Sequence, residues 1–198
     1  RGRVEDKPVA LCRLKRVAAD HKDDISSRLP VIPAQKNGKK VACIGAGPAS
    51  LTVANDLLPL GYDVVIFEQW DKPGGLMRTN IPAFRLPETV LAEEIGYIEQ
   101  MGAQIRYNSR IDSMRKLLAT GGFDAVFVGS GAPKGKELDL PGRQQGAANI
   151  HIGIDWLESV AFEHIKSIGK RVLIIGVGNT AMDCCRTSLR LGAAEVKV

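Results

Sequence analysis

Lys40-Val41-Ala42-Cys43-Ile44-Gly45-Ala46-Gly47-Pro48-Ala49-Ser50-Leu51, answered downstream by Val64-Val65-Ile66-Phe67-Glu68, is the stretch that decides the fold. An apolar β-type run ends in a glycine, a second glycine follows, and a helix-like segment opens at Pro48. The second apolar run then closes on an acid. This is the outline of a βαβ dinucleotide site. Gly45 lets the chain turn out of the strand, and Gly47 lets the backbone approach a pyrophosphate. The helix N-terminus, with Pro48 and Ala49 in its first turn, offers free N–H groups and partial positive charge. Glu68 is placed to accept hydrogen bonds from ribose hydroxyls. A glycine-bearing turn in an ordinary α/β unit would read similarly, and the third glycine of the fingerprint is replaced by Ser50. A side chain there costs roughly 1–3 kcal/mol if the helix–strand contact cannot relax, and less if its hydroxyl turns back onto its own helix.

The last part of the chain repeats the pattern. Arg171 to Ile175 is an apolar strand, Gly176-Val177-Gly178-Asn179-Thr180-Ala181 turns into a helix that runs on to Leu191, and a new strand begins at Glu195. Two such units carry far more information than one. The interval from Gly45 to Glu68, laid off from Gly176, runs one position past Val198. The expectation is therefore a fragment of a larger polypeptide, impaired when isolated.

Between the repeats, Pro73-Gly74-Gly75-Leu76-Met77-Arg78 follows the Glu68 strand. Paired glycines here let the backbone cross a cofactor's phosphates, and Arg78 is a candidate for a phosphate or a ring edge. A helix is expected over 88–102, with short strands at 103–107 and 110–112, a small helix near 113–119 and a strand over 123–128. That last strand ends in Gly129-Ser130-Gly131-Ala132, a small-residue tip that in an open parallel sheet faces the same site as Gly45. Leu138-Asp139-Leu140 reads as a strand-like exit. Residues 151–168 read as a connecting helical segment whose Trp156, Leu157, Val160, Ile165 and Ile168 supply packing.

The N-terminal region is different. Residues 8–20 form an amphipathic pattern, with Val9, Leu11, Leu14, Val17 and Ala18 on one side and Pro8 suited to the first turn. Such a helix has to lie against something. Residues 21–37 read as an extended linker. The net charge of +5 is concentrated here: residues 1–40 hold 11 Lys and Arg against 5 acids. The interleaved Glu5, Asp6, Asp20, Asp23 and Asp24 favour a solvated face over a phosphate-tracking stripe, so no nucleic-acid partner is expected. A chain 44% hydrophobic and 25% charged suits a globular protein, and no apolar run approaches membrane-spanning length. The scatter of Cys12, Cys43, Cys184 and Cys185 suits a reducing, cytoplasmic compartment rather than a disulfide framework.

Taken in order, Gly45-Ala-Gly-Pro-Ala49, Pro73-Gly-Gly-Leu76, Ile81-Pro-Ala-Phe-Arg-Leu-Pro87, Gly129-Ser-Gly-Ala132 and Gly176-Val-Gly-Asn-Thr-Ala-Met-Asp183 closely resemble the small (β) subunit of NADPH-dependent glutamate synthase and its relatives. The most specific part is Met182-Asp-Cys-Cys-Arg-Thr-Ser-Leu-Arg-Leu-Gly-Ala193. The resemblance covers nearly the whole chain. It implies FAD/NAD(P)-binding, Rossmann-like doubly wound α/β sheets, preceded by a helical remnant of an iron–sulfur domain. The implied divisions are 1–37 for that remnant and linker, 38–142 for the first part of an FAD domain, 143–169 for a connection, and 170–198 for the start of an NAD(P) domain.

It also implies roles. Gly45, Gly47, Pro48, Ala49 and Glu68 would take the ADP part of FAD; Gly75, Leu76, Arg78, Ser130 and Gly131 would lie along its pyrophosphate and flavin. Gly176, Gly178, Asn179 and Thr180 would receive the nicotinamide cofactor. Hydride would pass from NAD(P)H to FAD. Electrons would then leave through iron–sulfur clusters, held outside this chain, to a large electron-accepting subunit or a ferredoxin-like carrier. Within the chain no metal is expected, and no catalytic side chain is required, so His21, His151 and His164 are assigned to structure or surface. Thr79-Asn80 stands where the family commonly has Tyr-Gly. With Ser50, that departure leaves open a homologue serving a formate dehydrogenase or hydrogenase-type partner, and a non-catalytic nucleotide-binding module is a further alternative.

Overall fold

The computed structural model describes residues 9–198, which fall into two units, one ending at Pro30 and one spanning Val31–Val198. Pro8, expected in the first turn of the N-terminal helix, lies outside the described residues.

The first unit carries helix α1 (Leu11–Asp20) and a 3-10 turn, Ser26–Arg28. Arg16 Nε spans both carboxylate oxygens of Asp20 one turn on, at 2.7 and 2.8 Å, an exposed pairing that adds a few tenths of a kcal/mol. None of the helix is buried, and Leu11 is 63% exposed. The amphipathic pattern therefore forms its helix, but its apolar side is not covered among the described residues. The turn is fixed by Asp24, whose Oδ1 accepts from the Ser26 amide and hydroxyl.

In the second unit the order is β1 (Lys40–Ile44), α2 (Pro48–Leu57), β2 (Asp63–Phe67), α3 (Leu76–Thr79), α4 (Glu88–Gln100), β3 (Gln104–Arg106), α5 (Met114–Thr120), β4 (Ala125–Val128), α6 (Gly153–Ala161), β5 (Arg171–Leu173), α7 (Asn179–Arg190) and β6 (Glu195–Lys197). The first four strands make one parallel sheet in the order β3-β2-β1-β4, with Val41 beside Val64 and Ala125. Both faces are covered, which is why β1 and β2 are continuously apolar rather than alternating. Val41, Cys43, Val64 and Ile66 pack on one face with Leu51, Ala54, Leu58, Leu91 and Ile95 of the helical layer. Ala42, Val65 and Phe67 face the other way onto Phe123, Ile111 and Leu117. A doubly wound sheet results, as expected.

Strands β5 and β6 form a second parallel pair, Val172 beside Val196. Around it Trp156, Leu157 and Cys184 are buried, with Val160, Ile165, Ile168, Ile174 and Leu191 against them.

Four expected elements differ. No strand forms at 110–112: Ile111 packs under the sheet, Arg110 pairs with Asp112, and Ser113 caps α5 by accepting from the Lys116 amide. Leu138–Leu140 joins no ladder. The segment over 151–168 is helical only from Gly153 to Ala161, ending before Glu163 at φ +58°. The strand at 171–175 is also shorter, running Arg171–Leu173, with the Ile174 amide still bonded to the Lys197 carbonyl at 2.8 Å. No helix among the described residues is long and apolar enough to cross a membrane.

Candidate functional site

Strand β1 lies between β2 and β4, so the chain order runs one way through β2 and β3 and the other way to β4. The crevice beyond the carboxyl ends of β1 and β4 is a topological switch point, where open α/β sheets take their ligands. Gly45 and Gly129 stand there. Gly45 has φ +89°, and a Cβ on it would sit 2.7 Å from the Gly129 carbonyl oxygen. Its amide bonds the Phe67 carbonyl at 2.8 Å, and that of Gly129 bonds Ile44 at 2.9 Å, so both loops leave the sheet held at their roots.

Gly47 then enters α2 in extended conformation (φ −82°, ψ 178°), with Pro48 in the first turn. The Pro73–Gly75 turn closes over it. Gly74 donates to the Ala46 carbonyl at 2.8 Å, and a Cβ on Gly75 would lie 2.8 Å from the Gly47 Cα. Backbone thus meets backbone at two places around this crossing, Gly45 against Gly129 and Gly47 against Gly75, with no side chain between the members of either pair. Leu76 and Ser130 are exposed at the rim, as is Gly131.

Glu68 is buried, and its carboxylate spans the crossing. Oε2 accepts from the Ala46 amide at 2.7 Å and Oε1 from the Trp70 amide at 3.0 Å. A carboxylate has about four acceptor sites, so two bonds to backbone leave capacity for hydroxyls. Arg78 is turned inward: Nε donates to the Pro73 carbonyl at 2.6 Å and Nη1 meets Glu88 at 3.3 Å. It braces the glycine turn with part of its fork. The tie of Glu68 to Ala46 was not anticipated, since spacing shows which residue follows the strand but not what it bonds.

Ser50 is fully buried, and its Oγ has no hydrogen-bond partner. Of the two ways of accommodating it, the bond back onto its own helix is not made. The room comes from across the interface, where a Cβ on Gly129 would be 2.2 Å from that oxygen. The glycine missing from position 50 is in effect supplied at 129.

The second crossing repeats the first locally. Gly176 has φ +134°, and Gly178 enters α7 at φ −79°, ψ 178°. Gly176 through Thr180 are all exposed, and nothing lies within 4 Å of a Cβ built on Gly178. The first turn of α7 therefore presents its amides to open space.

His21, His151 and His164 are exposed, the last against Phe162. All four cysteines are free thiols. Burial pushes the thiols of Cys43 and Cys184 up to about 11, far from the thiolate that disulfide exchange requires.

A family model described as pyridine nucleotide-disulphide oxidoreductase matches residues 39–198. The β subunit of an NADP(+)-dependent formate dehydrogenase from Moorella thermoacetica is 35% identical over 99% of this chain and 31% of its own length. A putative glutamate synthase [NADPH] small chain from Cereibacter sphaeroides is 35% identical over 85% of this chain and 43% of its own. The chain thus spans less than half the length of either relative. Among solved structures, Mycobacterium tuberculosis FprA in complex with NADPH superposes with a TM-score of 0.62 at 22% identity, covering 75% of this chain and 36% of that one, a likeness of fold. These matches bear out the resemblance to the glutamate synthase small chain and related β subunits, and with the parallel sheets and paired glycine crossings they place this chain in the pyridine nucleotide-disulphide oxidoreductase family.

Proposed function

We propose that this chain is the nucleotide-handling part of an NAD(P)H-dependent FAD oxidoreductase that delivers electrons to a partner subunit, as in the glutamate synthase small-subunit group. The observation that carries the reading is the pair of crossings at Gly45–Pro48 and Gly176–Asn179. Each follows a parallel strand and enters a helix through a glycine of nearly identical backbone geometry.

The residues fit the cofactors assigned to them. A diphosphate needs bare backbone and free amides. Gly47 and Gly75 supply the first, since a Cβ on Gly75 would fall 2.8 Å from its neighbour's Cα. In this reading Gly45, Gly47, Pro48 and Ala49 hold the ADP portion of FAD, and Glu68 holds the ribose with its remaining acceptor sites. Gly75, Leu76, Ser130 and Gly131 border the pyrophosphate and ring, while Arg78 keeps the Gly74–Gly75 turn in place with donors to spare. Gly176, Gly178, Asn179 and Thr180 receive the nicotinamide dinucleotide. When bound, the cofactors supply hydride transfer from nicotinamide to flavin and onward passage of electrons to an iron–sulfur acceptor. The chain itself binds, orients and shields; no side chain is asked to move a proton.

The family's disulfide chemistry is not part of the proposal, because Cys12, Cys43, Cys184 and Cys185 include no C-x-x-C pair and burial raises the thiols of Cys43 and Cys184. The partner is an electron-accepting subunit. The likeness to a formate dehydrogenase β subunit supports a second reading, in which a dehydrogenase takes the place of glutamate synthase. The divisions at 38–142, 143–169 and 170–198 belong to the same proposal. The test is spectroscopic: the full-length protein is expected to purify yellow and to bleach on anaerobic addition of NADPH or NADH. A colourless protein that FAD does not reconstitute would end the reading.

A further inference from the structure

Ser50, Asp183 and Thr187 each bury a polar atom that has no hydrogen-bond partner. Asp183 is the charged one, and it leads away from the nucleotide loops. It lies on α7, the helix that starts at the second crossing, and is 3% exposed. Its Oδ2 accepts from Arg85 Nη1 at 2.5 Å. Arg85 belongs to the strap Ile81–Pro87, which leaves the first crossing by way of Gly75 and α3. On the same strap, Phe84 lies under the Arg190 guanidinium, 3.8 Å from the ring centroid, and Arg190 is also on α7.

The two residues before the strap complete the set. Thr79 donates its hydroxyl to Asn80 Oδ1 at 2.7 Å, and Asn80 Nδ2 donates to the Ile154 carbonyl in α6 at 3.0 Å. A glycine at position 80 would have no such donor. Apolar packing does not fix this seam by itself, because a cavity of about 420 Å³ adjoins it, lined by Ile81, Phe84, Leu86, Leu157, Val160 and Leu191. The directional contacts are what remain.

Resting on the function proposed above, we propose that Asn80, Arg85 and Asp183 are positioning residues: a polar clip that sets the second nucleotide crossing at one distance and angle from the first. Asp183 makes the setting discrete. Sliding α7 away from the strap would leave a buried carboxylate without its cation, a far costlier state than any small change in packing. The short path from Gly75 through Asn80 to α6, and through Arg85 to α7, ties both crossings to one frame. Hydride transfer falls steeply with misplacement, with about 1 Å able to cost 10²-fold.

The test uses the full-length protein loaded with FAD, comparing Asn80→Gly, Arg85→Met, Arg85→Lys and the Asn80→Gly/Arg85→Met double variant. Flavin reduction per bound FAD is expected to slow about tenfold or more in Arg85→Met and further in the double variant. FAD content and NADP⁺ affinity should stay within twofold, and Arg85→Lys should recover most of the rate. Independently of turnover, amide hydrogen exchange should quicken in Gly153–Ala161 and in the strap, with β1 and β2 unchanged. A reduction rate within twofold of wild type with unaltered exchange would overturn the clip. So would loss of FAD together with faster exchange throughout, the mark of a merely structural role. Should Arg85→Met fail to fold, Asn80→Gly alone carries the same comparison. A wild-type protein that no nicotinamide cofactor bleaches would instead sink the function proposed above, and the exchange pattern would still decide the clip.

Discussion

At Gly47 the chain enters its helix at φ −82°, ψ 178°, and at Gly178 it does so at φ −79°, ψ 178°. Around the first of these, Gly75 presses on Gly47 and Gly129 on Gly45 as backbone, Glu68 anchors the Ala46 amide, and Ser50 is sealed beneath. Around the second, Val177 is 87% exposed and Gly178 has nothing within 4 Å of a built Cβ. The turn is therefore written locally, by strand, glycine and helix start, while its walls are contributed by distant strands. Among the described residues the first crossing has a four-stranded sheet and a switch point behind it, and the second has one neighbouring strand.

The largest difference between them should appear in stability. Gly45→Ala combines a left-handed backbone with a Cβ 2.7 Å from a carbonyl oxygen, and should lower unfolding free energy by at least about 2 kcal/mol. Gly178→Ala, in extended backbone and open space, should stay within about 0.5 kcal/mol of wild type. Urea denaturation of both variants checks the contrast, and equal losses would mean that the second crossing is walled as well.

A smaller effect sharpens what the wall is made of. Gly129→Ala drives a Cβ to 2.2 Å from Ser50 Oγ and should cost roughly 1–3 kcal/mol. Adding Ser50→Ala should return a good part of that loss, because the two residues share one space. By itself, Ser50→Ala should be neutral or stabilising by about 1 kcal/mol, since it removes a buried hydroxyl with no partner. Strictly additive losses would show that the two positions do not share a space. At the matching place in the second crossing stands Ala181, and 3.6 Å separates its Cβ from one built on Gly176. Gly176→Ala should accordingly show no rescue from a change at 181.

The smallest effect concerns the thiols. Cys12 is exposed, whereas Cys43 lies under the first crossing and Cys184 on the helix of the second, both with thiols raised to about 11 by burial. Raising the pH toward 11 increases their thiolate fraction. At pH 8 a native thiol titration should label Cys12 quickly and leave Cys43 and Cys184 to react only on unfolding. Fast reaction at Cys184 alone would show that the second crossing opens more readily than the first.

How far the sequence foretold this follows the same division. Gly45, Gly47, Gly176 and Gly178 were legible because a strand-to-helix turn with an unusual backbone needs glycine at fixed places. The continuous apolar runs at Val41–Ile44 and Val64–Phe67 announced a parallel sheet covered on both faces. What could not be read was pairing at a distance. Nothing near Ser50 says that Gly129 will make room for it, and nothing near Arg85 names Asp183. Ile111 and Leu138–Leu140 look like strand residues, yet a strand needs a neighbour and neither segment has one among the described residues. The apolar side of α1 was equally plain in the spacing of Leu11, Leu14 and Val17, but periodicity shows that a face exists and not what covers it.

The central claim is that two like turns hold two different dinucleotides. One measurement puts it most directly: FAD content and NADPH-driven flavin bleaching in full-length Gly75→Val and Gly178→Val. The account predicts that Gly75→Val purifies without flavin, while Gly178→Val keeps one FAD per chain and no longer bleaches at NADPH concentrations that bleach the wild type. Flavin lost from Gly178→Val and retained in Gly75→Val would contradict it.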